Sequence, residues 1–210
     1  MFCEMRKEGI KPNGHTMTTV LKGCSISLNL DFGKQLHGEI IKVGVFLDVF
    51  VGSTLVDVYA RCGEMETADK IFISMPESNS VSWNSLLNGY AQVGNGEKVL
   101  ELFSKMKETK TKFCGFTIST VLKGCTNSGK LRDAQTVHSL VIKVGRELDE
   151  YVICSLLCMY STCGLAKDAI KAFGMIKDPN VVAWSEMINC LNQQGQSLEA
   201  ADLLDRKSVV

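Results

Sequence analysis

GHTMTTVLKGCSISLNLDFGKQLHGEIIKVGVFLD, at Gly14–Asp48, returns 101 residues later as GFTISTVLKGCTNSGKLRDAQTVHSLVIKVGRELD, at Gly115–Asp149. The same spacing continues beyond these stretches, because Trp83 is followed 101 residues later by Trp184. Self-similarity at a fixed period is the signature of a repeat array. The chain is therefore predicted to stack small structural units instead of enclosing one active site.

Short segments that contain Gly or Pro divide the long period into units of 35, 31 and 35 residues. Apolar residues within a unit recur at steps of three and four, as at Trp83, Leu86, Leu87 and Tyr90, which is the spacing of one helix face. Each complete unit is predicted to form two helices. The predicted organisation is a partial repeat that supplies a second helix, five complete repeats and a truncated repeat, at residues 1–13, 14–48, 49–79, 80–114, 115–149, 150–180 and 181–210.

A glycine separates the paired helical stretches in four of these units, where a helix C-terminus needs a left-handed residue. These glycines are Gly63, Gly94, Gly164 and Gly195. One helical pair cannot bury its apolar stripe alone, so stacked neighbours must supply the core. The predicted fold class is all-α, a right-handed α-solenoid superhelix of helix-turn-helix repeats.

The composition excludes a strong global electrostatic field, since 23 basic and 23 acidic residues give a formal net charge of zero. Nine cysteines are present and none forms a C-x-x-C pair. Four of them recur at equivalent apolar helix positions and are predicted to be small buried core residues in a reducing compartment, namely Cys24, Cys62, Cys125 and Cys163. No stretch reaches the length of a membrane span, so no membrane is expected as a partner.

The N-terminal sequence MFCEMRKE, at Met1–Glu8, begins inside a helical pattern. We therefore expect neither a signal peptide nor a transit peptide in this chain. Because the last repeat lacks its end, we expect the chain to be a fragment of a longer protein.

Several ordered motifs carry a family resemblance, among them MRKEGIKPN at Met5–Asn13, VLKGC at Val20–Cys24, DVYARCG at Asp57–Gly63 and VSWNSLLNGY at Val81–Tyr90. The chain resembles the pentatricopeptide-repeat family over essentially its whole length. It is most similar to the plant subclass in which 35-residue, long-type and short-type repeats alternate. The resemblance implies that the long-type repeats are 14–48 and 115–149. It also implies that the short-type repeats are 49–79 and 150–180, and that the 35-residue repeat is 80–114.

The resemblance implies sequence-specific binding of single-stranded RNA, with one base read per repeat. In the family, the fifth and last residues of a repeat contact the base edge. Here the fifth residues are Thr18, Ser53, Asn84, Ser119, Cys154 and Ser185, and the last residues are Asn13, Asp48, Asn79, Cys114, Asp149 and Asn180. The second residue of each repeat packs against base faces, and the second residues here are His15, Phe50, Val81, Phe116, Tyr151 and Val182. Asn13 and Ser185 belong to incomplete repeats.

The family's pairing logic also implies a target. A small hydroxyl at the fifth position favours purines and Asn favours pyrimidines, while a last Asn or Asp separates bases by its donors and acceptors. Ser53 with Asn79 then prefers adenine, the two long-type repeats prefer guanine, and Asn84 prefers a pyrimidine. The implied target is G-A-pyrimidine-G-A, although Cys114 and Cys154 depart from the usual residues at their positions.

The resemblance places such a protein in the mitochondrion or chloroplast. It implies organelle RNA processing or recognition of sites for C-to-U RNA editing, with catalysis supplied elsewhere, and no cofactor. Other editing or processing proteins are expected as further partners. One alternative is a helical-repeat scaffold for protein–protein interaction, because such repeats also form peptide-binding grooves. A second is that the polar residues at the reading positions are only helix caps.

Two further patterns bear on function. His37, Gly38 and Glu39 match the H-x-E of zinc deaminases, but that site needs a downstream P-C-x-x-C that the sequence lacks. We therefore interpret His37 as a repeat feature that His138 shares, and we do not expect an enzyme. Four lysines recur in register and are predicted either to meet phosphates or to line solvated helix faces, namely Lys22, Lys123, Lys42 and Lys143.

Overall fold

The computed structural model describes residues 2–44, 48–127, 131–143 and 149–196, and all regular structure in these ranges is α-helical. The all-α prediction is thereby confirmed. The helices of the described ranges are α1 Phe2–Lys7, α2 Gly14–Ser27, α3 Leu30–Val43, α4 Val49–Arg61, α5 Met65–Ser74, α6 Ser80–Gln92, α7 Gly96–Glu108, α8 Gly115–Asn127, α9 Leu131–Lys143, α10 Glu150–Thr162, α11 Ala166–Gly174 and α12 Val181–Gln193.

The connections α2–α3, α4–α5, α6–α7 and α10–α11 each pass through a left-handed residue, as the end of α4 illustrates. Gly63 N donates to Ala60 O at 3.2 Å and Glu64 N donates to Tyr59 O at 3.0 Å, so two carbonyls of the last turn are satisfied. The left-handed prediction is confirmed at all four glycines, with φ of 81° at Gly63, 75° at Gly94, 72° at Gly164 and 71° at Gly195.

The chain divides into two compact units. The first comprises Met1–Val93 and Leu102–Lys112, and in it α2, α4 and α6 pack side by side. The second comprises Gly94–Glu101 and Phe113–Val210, and in it α8, α10 and α12 pack in the same way. We call these six helices the first helices, because each opens a predicted repeat.

Second helices cover one side of the first helices within each unit. In the first unit α3 packs on α2 and α4, and α5 packs on α4 and α6. In the second unit α11 packs on α10 and α12. A helix that bridges two first helices buries apolar surface that neither pair could bury alone, which is the physical basis of repeat stacking.

The core is built from the apolar stripes that the sequence predicts. Phe72 of α5 meets Trp83 of α6 edge to face, with ring centroids 4.7 Å apart, and Phe173 meets Trp184 in the same geometry at 4.8 Å. Aromatic pairs prefer this arrangement. The 101-residue sequence period is therefore reproduced in three dimensions at the level of individual ring contacts.

The predicted burial of the four recurring cysteines is correct for two of them and wrong for the other two. Cys24 and Cys125 are buried, with 3% and 1% of their surface exposed. Cys62 and Cys163 are only half-buried, because each is the C-cap residue of its helix, beyond the last turn that packs on a neighbour. In the described part of the chain, no helix is both long and apolar enough to cross a bilayer.

Candidate nucleic-acid interface

The predicted last-position residues lie at the starts of the first helices, and all of them except Cys114 act as N-caps through their side chains. Asn79 Oδ1 accepts from Val81 N at 3.0 Å and from Ser82 N at 2.9 Å. The other side chains that cap a first helix in this way are Asn13, Asp48, Asp149 and Asn180. The capping role that the sequence left open is thus real, and it fixes the orientation of these side chains.

Cys114 differs from the other last-position residues. It is exposed and precedes α8, and its backbone N donates to Thr117 Oγ1 at 3.2 Å. A hydroxyl three residues into the helix thereby satisfies the backbone group of the capping position.

The first helices of each unit have adjacent N-terminal ends, and this brings one predicted reading pair together. Ser53 Oγ lies 3.1 Å from Asn79 Oδ1 and also 2.6 Å from Val49 O. Ser53 is buried, with 2% of its surface exposed, while Asn79 is half-buried. The side chain of a first helix thus meets the cap of the next first helix at the predicted position of one base.

The remaining fifth positions use their hydroxyl groups differently. Thr18 Oγ1 donates to Gly14 O at 2.8 Å, and no hydrogen bond within the described residues joins it to Asp48. Ser119 Oγ donates to Tyr151 O, 3.2 Å away on the neighbouring first helix. Ser185 Oγ donates to Val181 O at 2.8 Å. Asn84 and Cys154 are half-buried on the same helix position.

The second-position side chains are solvent-exposed although most of them are apolar. The exposed fractions are 71% for Phe50, 56% for Val81, 57% for Phe116, 80% for Tyr151 and 54% for Val182, and His15 is exposed too. Each is the second residue of a first helix, two positions after the last residue of the preceding repeat. Aromatic and apolar side chains held in solvent at regular intervals suit stacking against unpaired bases.

Sequence reasoning missed Asp57, which joins three first helices of the first unit. Its carboxylate accepts hydrogen bonds from Ser25 Oγ on α2 and from Ser85 Oγ on α6, the latter at 3.1 Å. Arg61 Nε lies 3.1 Å from the same carboxylate. The residue that lies 101 positions after Asp57 is Cys158. Comparison of the two copies of the sequence therefore gave no sign that this aspartate joins helices.

The recurring lysines are exposed in the structure. Lys22 and Lys123 lie one helical turn after the fifth positions of their repeats, on first helices. Lys42 and Lys143 lie in the last turns of α3 and α9, which are second helices. Only the first pair therefore shares a helix with the reading positions.

The histidines form a repeated structural pair with tyrosine. His37 Nδ1 lies 3.0 Å from Tyr59 Oη, and His138 makes the equivalent contact with Tyr160. Burial lowers the pKa of both histidines. Burial, followed by the charges of Asp168 and Cys163, raises the pKa of Tyr160 to about 12.

The same histidine contact in both copies confirms that His37 is a repeat feature. Within the described residues, no group of three or more His, Cys, Asp or Glu side chains could hold a metal ion.

These features define a class of protein, namely a helical-repeat protein of the α-solenoid type whose first helices present capped, adjacent N-termini. A family model for the PPR repeat family matches residues 78–127, and a PPR repeat model matches residues 53–80 and 182–206. The chain belongs to the PPR repeat family.

Relatives in Arabidopsis thaliana agree with this assignment. A mitochondrial pentatricopeptide repeat-containing protein is 36% identical over 208 residues, covering 99% of this chain and 20% of the relative. A chloroplastic one is 34% identical over 204 residues, covering 97% of this chain and 33% of the relative. The chain thus spans a third or less of the length of these two relatives.

Solved structures support the fold. The crystal structure of the pentatricopeptide repeat protein PPR10 from maize matches the whole chain with a TM-score of 0.72 at 22% sequence identity, over 31% of the maize chain. PPR10 in complex with an 18-nucleotide psaJ RNA element matches 97% of this chain and 36% of that chain, with a TM-score of 0.51 at 20% identity. The predicted helical-repeat solenoid class is confirmed.

Proposed function

We propose that the chain binds single-stranded RNA sequence-specifically and that each complete repeat reads one base. The observation that carries this proposal is the contact between Ser53 and Asn79, next to the exposed side chains of Phe50 and Val81. The RNA complex of PPR10, a protein of similar fold, is consistent with it.

The second repeat illustrates the binding geometry. Phe50 and Val81 are the second residues of consecutive first helices, and a base inserted between them stacks on both side chains. Ser53 and Asn79 then lie at the edge of that base. Each such stacked base contributes about 1–3 kcal/mol.

Capping orients the atoms that read the base. The backbone bonds from Val81 and Ser82 occupy Oδ1 of Asn79, and its amide nitrogen makes no hydrogen bond within the described residues. This amide is therefore a donor available to a base. Adenine presents the acceptor N1 on its pairing edge, so Asn79 favours adenine over guanine, whose N1 carries hydrogen.

An aspartate at the last position inverts this preference. Asp48 Oδ1 accepts from Phe50 N at 2.8 Å and from Val51 N at 3.1 Å, which leaves Oδ2 as an acceptor. A carboxylate oxygen accepts from the N1–H of guanine and repels the N1 lone pair of adenine. Guanine is accordingly the base proposed for the first repeat, and also for the fourth, whose last residue is likewise an aspartate, Asp149.

Two repeats discriminate less strongly between bases. Asn84 with Cys114 in the third repeat and Cys154 with Asn180 in the fifth each replace one polar partner by a thiol, which is a weak hydrogen-bonding group. The proposed target remains G-A-pyrimidine-G-A. Lys22 and Lys123 supply phosphate contacts beside the bases of the two long-type repeats.

The unit lengths of 35, 31 and 35 residues support assignment to the plant subclass with alternating repeat types. Within that subclass, we assign the chain to organelle RNA processing or to recognition of sites for C-to-U editing, with catalysis and further editing proteins supplied from outside this chain. The mitochondrial and chloroplastic relatives support a location in one of these organelles.

The test is a fluorescence-anisotropy titration of the chain with single-stranded RNAs that contain G-A-U-G-A and differ only at the second base. Tightest binding with adenine supports the proposal. Equal affinities for all four bases contradict modular reading. Absence of binding by a folded, helical sample contradicts RNA binding and favours the protein-interaction scaffold.

A further inference from the structure

Gly115 begins α8, and the space next to its Cα is occupied by the carboxylate of Asp149. A Cβ atom at Gly115 would lie 2.4 Å from Asp149 Oδ2, 2.9 Å from Cγ and 3.0 Å from Oδ1. Distances below 3.0 Å are essentially never observed for real Cβ atoms. Any side chain at this position would therefore displace the carboxylate.

The carboxylate is held from its other side as well. Asp149 Oδ1 accepts from Tyr151 N at 3.2 Å and from Val152 N at 3.4 Å, and these bonds cap α10. A rotation of the Asp149 side chain away from residue 115 would weaken the cap. The absence of a side chain at Gly115 and the backbone of α10 thus both contribute to its position.

The equivalent glycine in the first copy is under no such constraint. A Cβ atom at Gly14 would lie 3.5 Å from Asp48 Oδ2 and 3.6 Å from Val51 Cγ2, which are ordinary van der Waals distances. Neither Gly14 nor Gly115 has a positive φ, so the backbone accepts alanine at both. The two glycines form a matched pair that differs in the space available next to the reading aspartate.

We propose that Gly115 is a positioning residue for base discrimination in the fourth repeat, acting through Asp149. This inference rests on the proposed function. The bare Cα lets the carboxylate lie against the start of α8 while it caps α10, and so places the carboxylate for a guanine. In the first repeat, Asp48 takes its position without requiring a glycine.

The experiment compares Gly115→Ala with Gly14→Ala, each alone and with Asp149→Ala. In the RNA-free chain, Gly115→Ala is expected to speed hydrogen exchange of the Tyr151 and Val152 amides, and Gly14→Ala is not. In the Asp149→Ala background, Gly115→Ala should have no further effect on these amides, because coupled residues give non-additive effects.

RNA binding supplies the second measurement. Gly115→Ala should reduce the preference for guanine over adenine at the fourth base about fivefold or more, as expected for one lost hydrogen bond, and leave the preference at the second base unchanged. Gly14→Ala should change neither preference.

The outcomes separate the two claims. Unchanged exchange rates in Gly115→Ala overturn the positioning role, whatever the chain binds. In a second outcome, the parent chain discriminates at the fourth base while Gly115→Ala shows faster exchange and the same base preference as the parent. That result overturns the link between the position of Asp149 and base reading. A parent chain that binds RNA without discrimination at the fourth base overturns the assignment of that base to Asp149. Failure of the parent chain to bind RNA overturns the proposed function, while the exchange measurements still report on the positioning of Asp149.

Discussion

Ser53 Oγ and Asn79 Oδ1 lie 3.1 Å apart although the residues are separated by 26 positions in the chain. The contact forms because α4 and α6 pack side by side with adjacent N-terminal ends. Asn79 Oδ1 thereby makes two kinds of contact, since it caps α6 and also meets the hydroxyl of Ser53, which belongs to the same repeat as Asn79. Substitution can separate the capping role of Asn79 from the base-reading role that we propose for it.

Replacing Asn79 by Asp is expected to change base preference without changing stability. Asp caps helices as well as Asn does, so the free energy of unfolding should change by less than about 0.5 kcal/mol. The preferred second base should move from adenine to guanine, because the outward atom becomes an acceptor. Urea unfolding and anisotropy titration measure the two effects.

Asn79→Ala is the informative control, because it removes both the cap and the reading group. It should cost about 1 kcal/mol of stability and abolish discrimination at the second base. Asn180→Asp provides a positional control that should leave the second base unaffected. A shift at the second base in Asn180→Asp would contradict the assignment of one base to one repeat.

Asp57→Ala is expected to destabilise the first unit by about 2–4 kcal/mol, because it leaves the hydroxyls of Ser25 and Ser85 without their acceptor. Both serines are buried, with 2% and 8% exposed. Asp178→Ala, at an exposed position, should change the unfolding free energy by no more than about 0.5 kcal/mol. Equal effects of the two substitutions in urea unfolding would show that the inter-helix bonds of Asp57 contribute nothing.

Asp57 also illustrates where sequence analysis reached its limit. The helix pairs followed from local periodicity, and the four left-handed glycines followed from their places between helices, because both signals lie within a few neighbouring residues. The bonds from Asp57 depend on residues 32 positions before it and 28 after it. Their copies 101 residues later have changed to other residue types, so the repeat could not reveal the contact.

The candidate site likewise includes features that the sequence predicted and features that it could not predict. The positions of the reading residues came from a family resemblance and stay a prediction, while the structure shows that Ser53 and Asn79 lie within hydrogen-bond distance of each other. The cysteine prediction failed at Cys62 and Cys163 because an apolar helix position at a C-cap lies beyond the packed turns. The difference between Gly14 and Gly115 was not predictable either, since identical residues at equivalent positions differ only in how closely an aspartate approaches.

Lowering the pH below about 7 is expected to destabilise the chain through His37 and His138. Burial holds the pKa of both below the usual value of about 6.5. Between the folded and unfolded pKa values the unfolded chain binds more protons, so the free energy of unfolding falls as the pH falls. The contribution is fully present above the unfolded pKa.

The measurement is urea unfolding at several pH values from 7.5 to 5.5. The double variant His37→Gln with His138→Gln should show a smaller loss of unfolding free energy over this interval than the parent chain. His15→Gln, at an exposed position, is the control for removal of one imidazole. Parallel profiles for the parent and the double variant would contradict a role for the buried pairs.

Phe50→Ala is expected to weaken RNA binding while leaving the fold intact. The side chain is 71% exposed, so little packing is lost and the free energy of unfolding should change by less than about 0.5 kcal/mol. Loss of one stacking surface should reduce affinity by about 1–3 kcal/mol, with base preference at other repeats retained. Ile73→Ala is the matched control, because Ile73 is 80% exposed but lies on the second helix α5 and not at a second position of a first helix. Anisotropy titration of both variants with the same RNA decides the point: an equal loss of affinity would indicate general hydrophobic attraction, whereas a loss confined to Phe50→Ala would establish that second-position side chains stack on the bound bases.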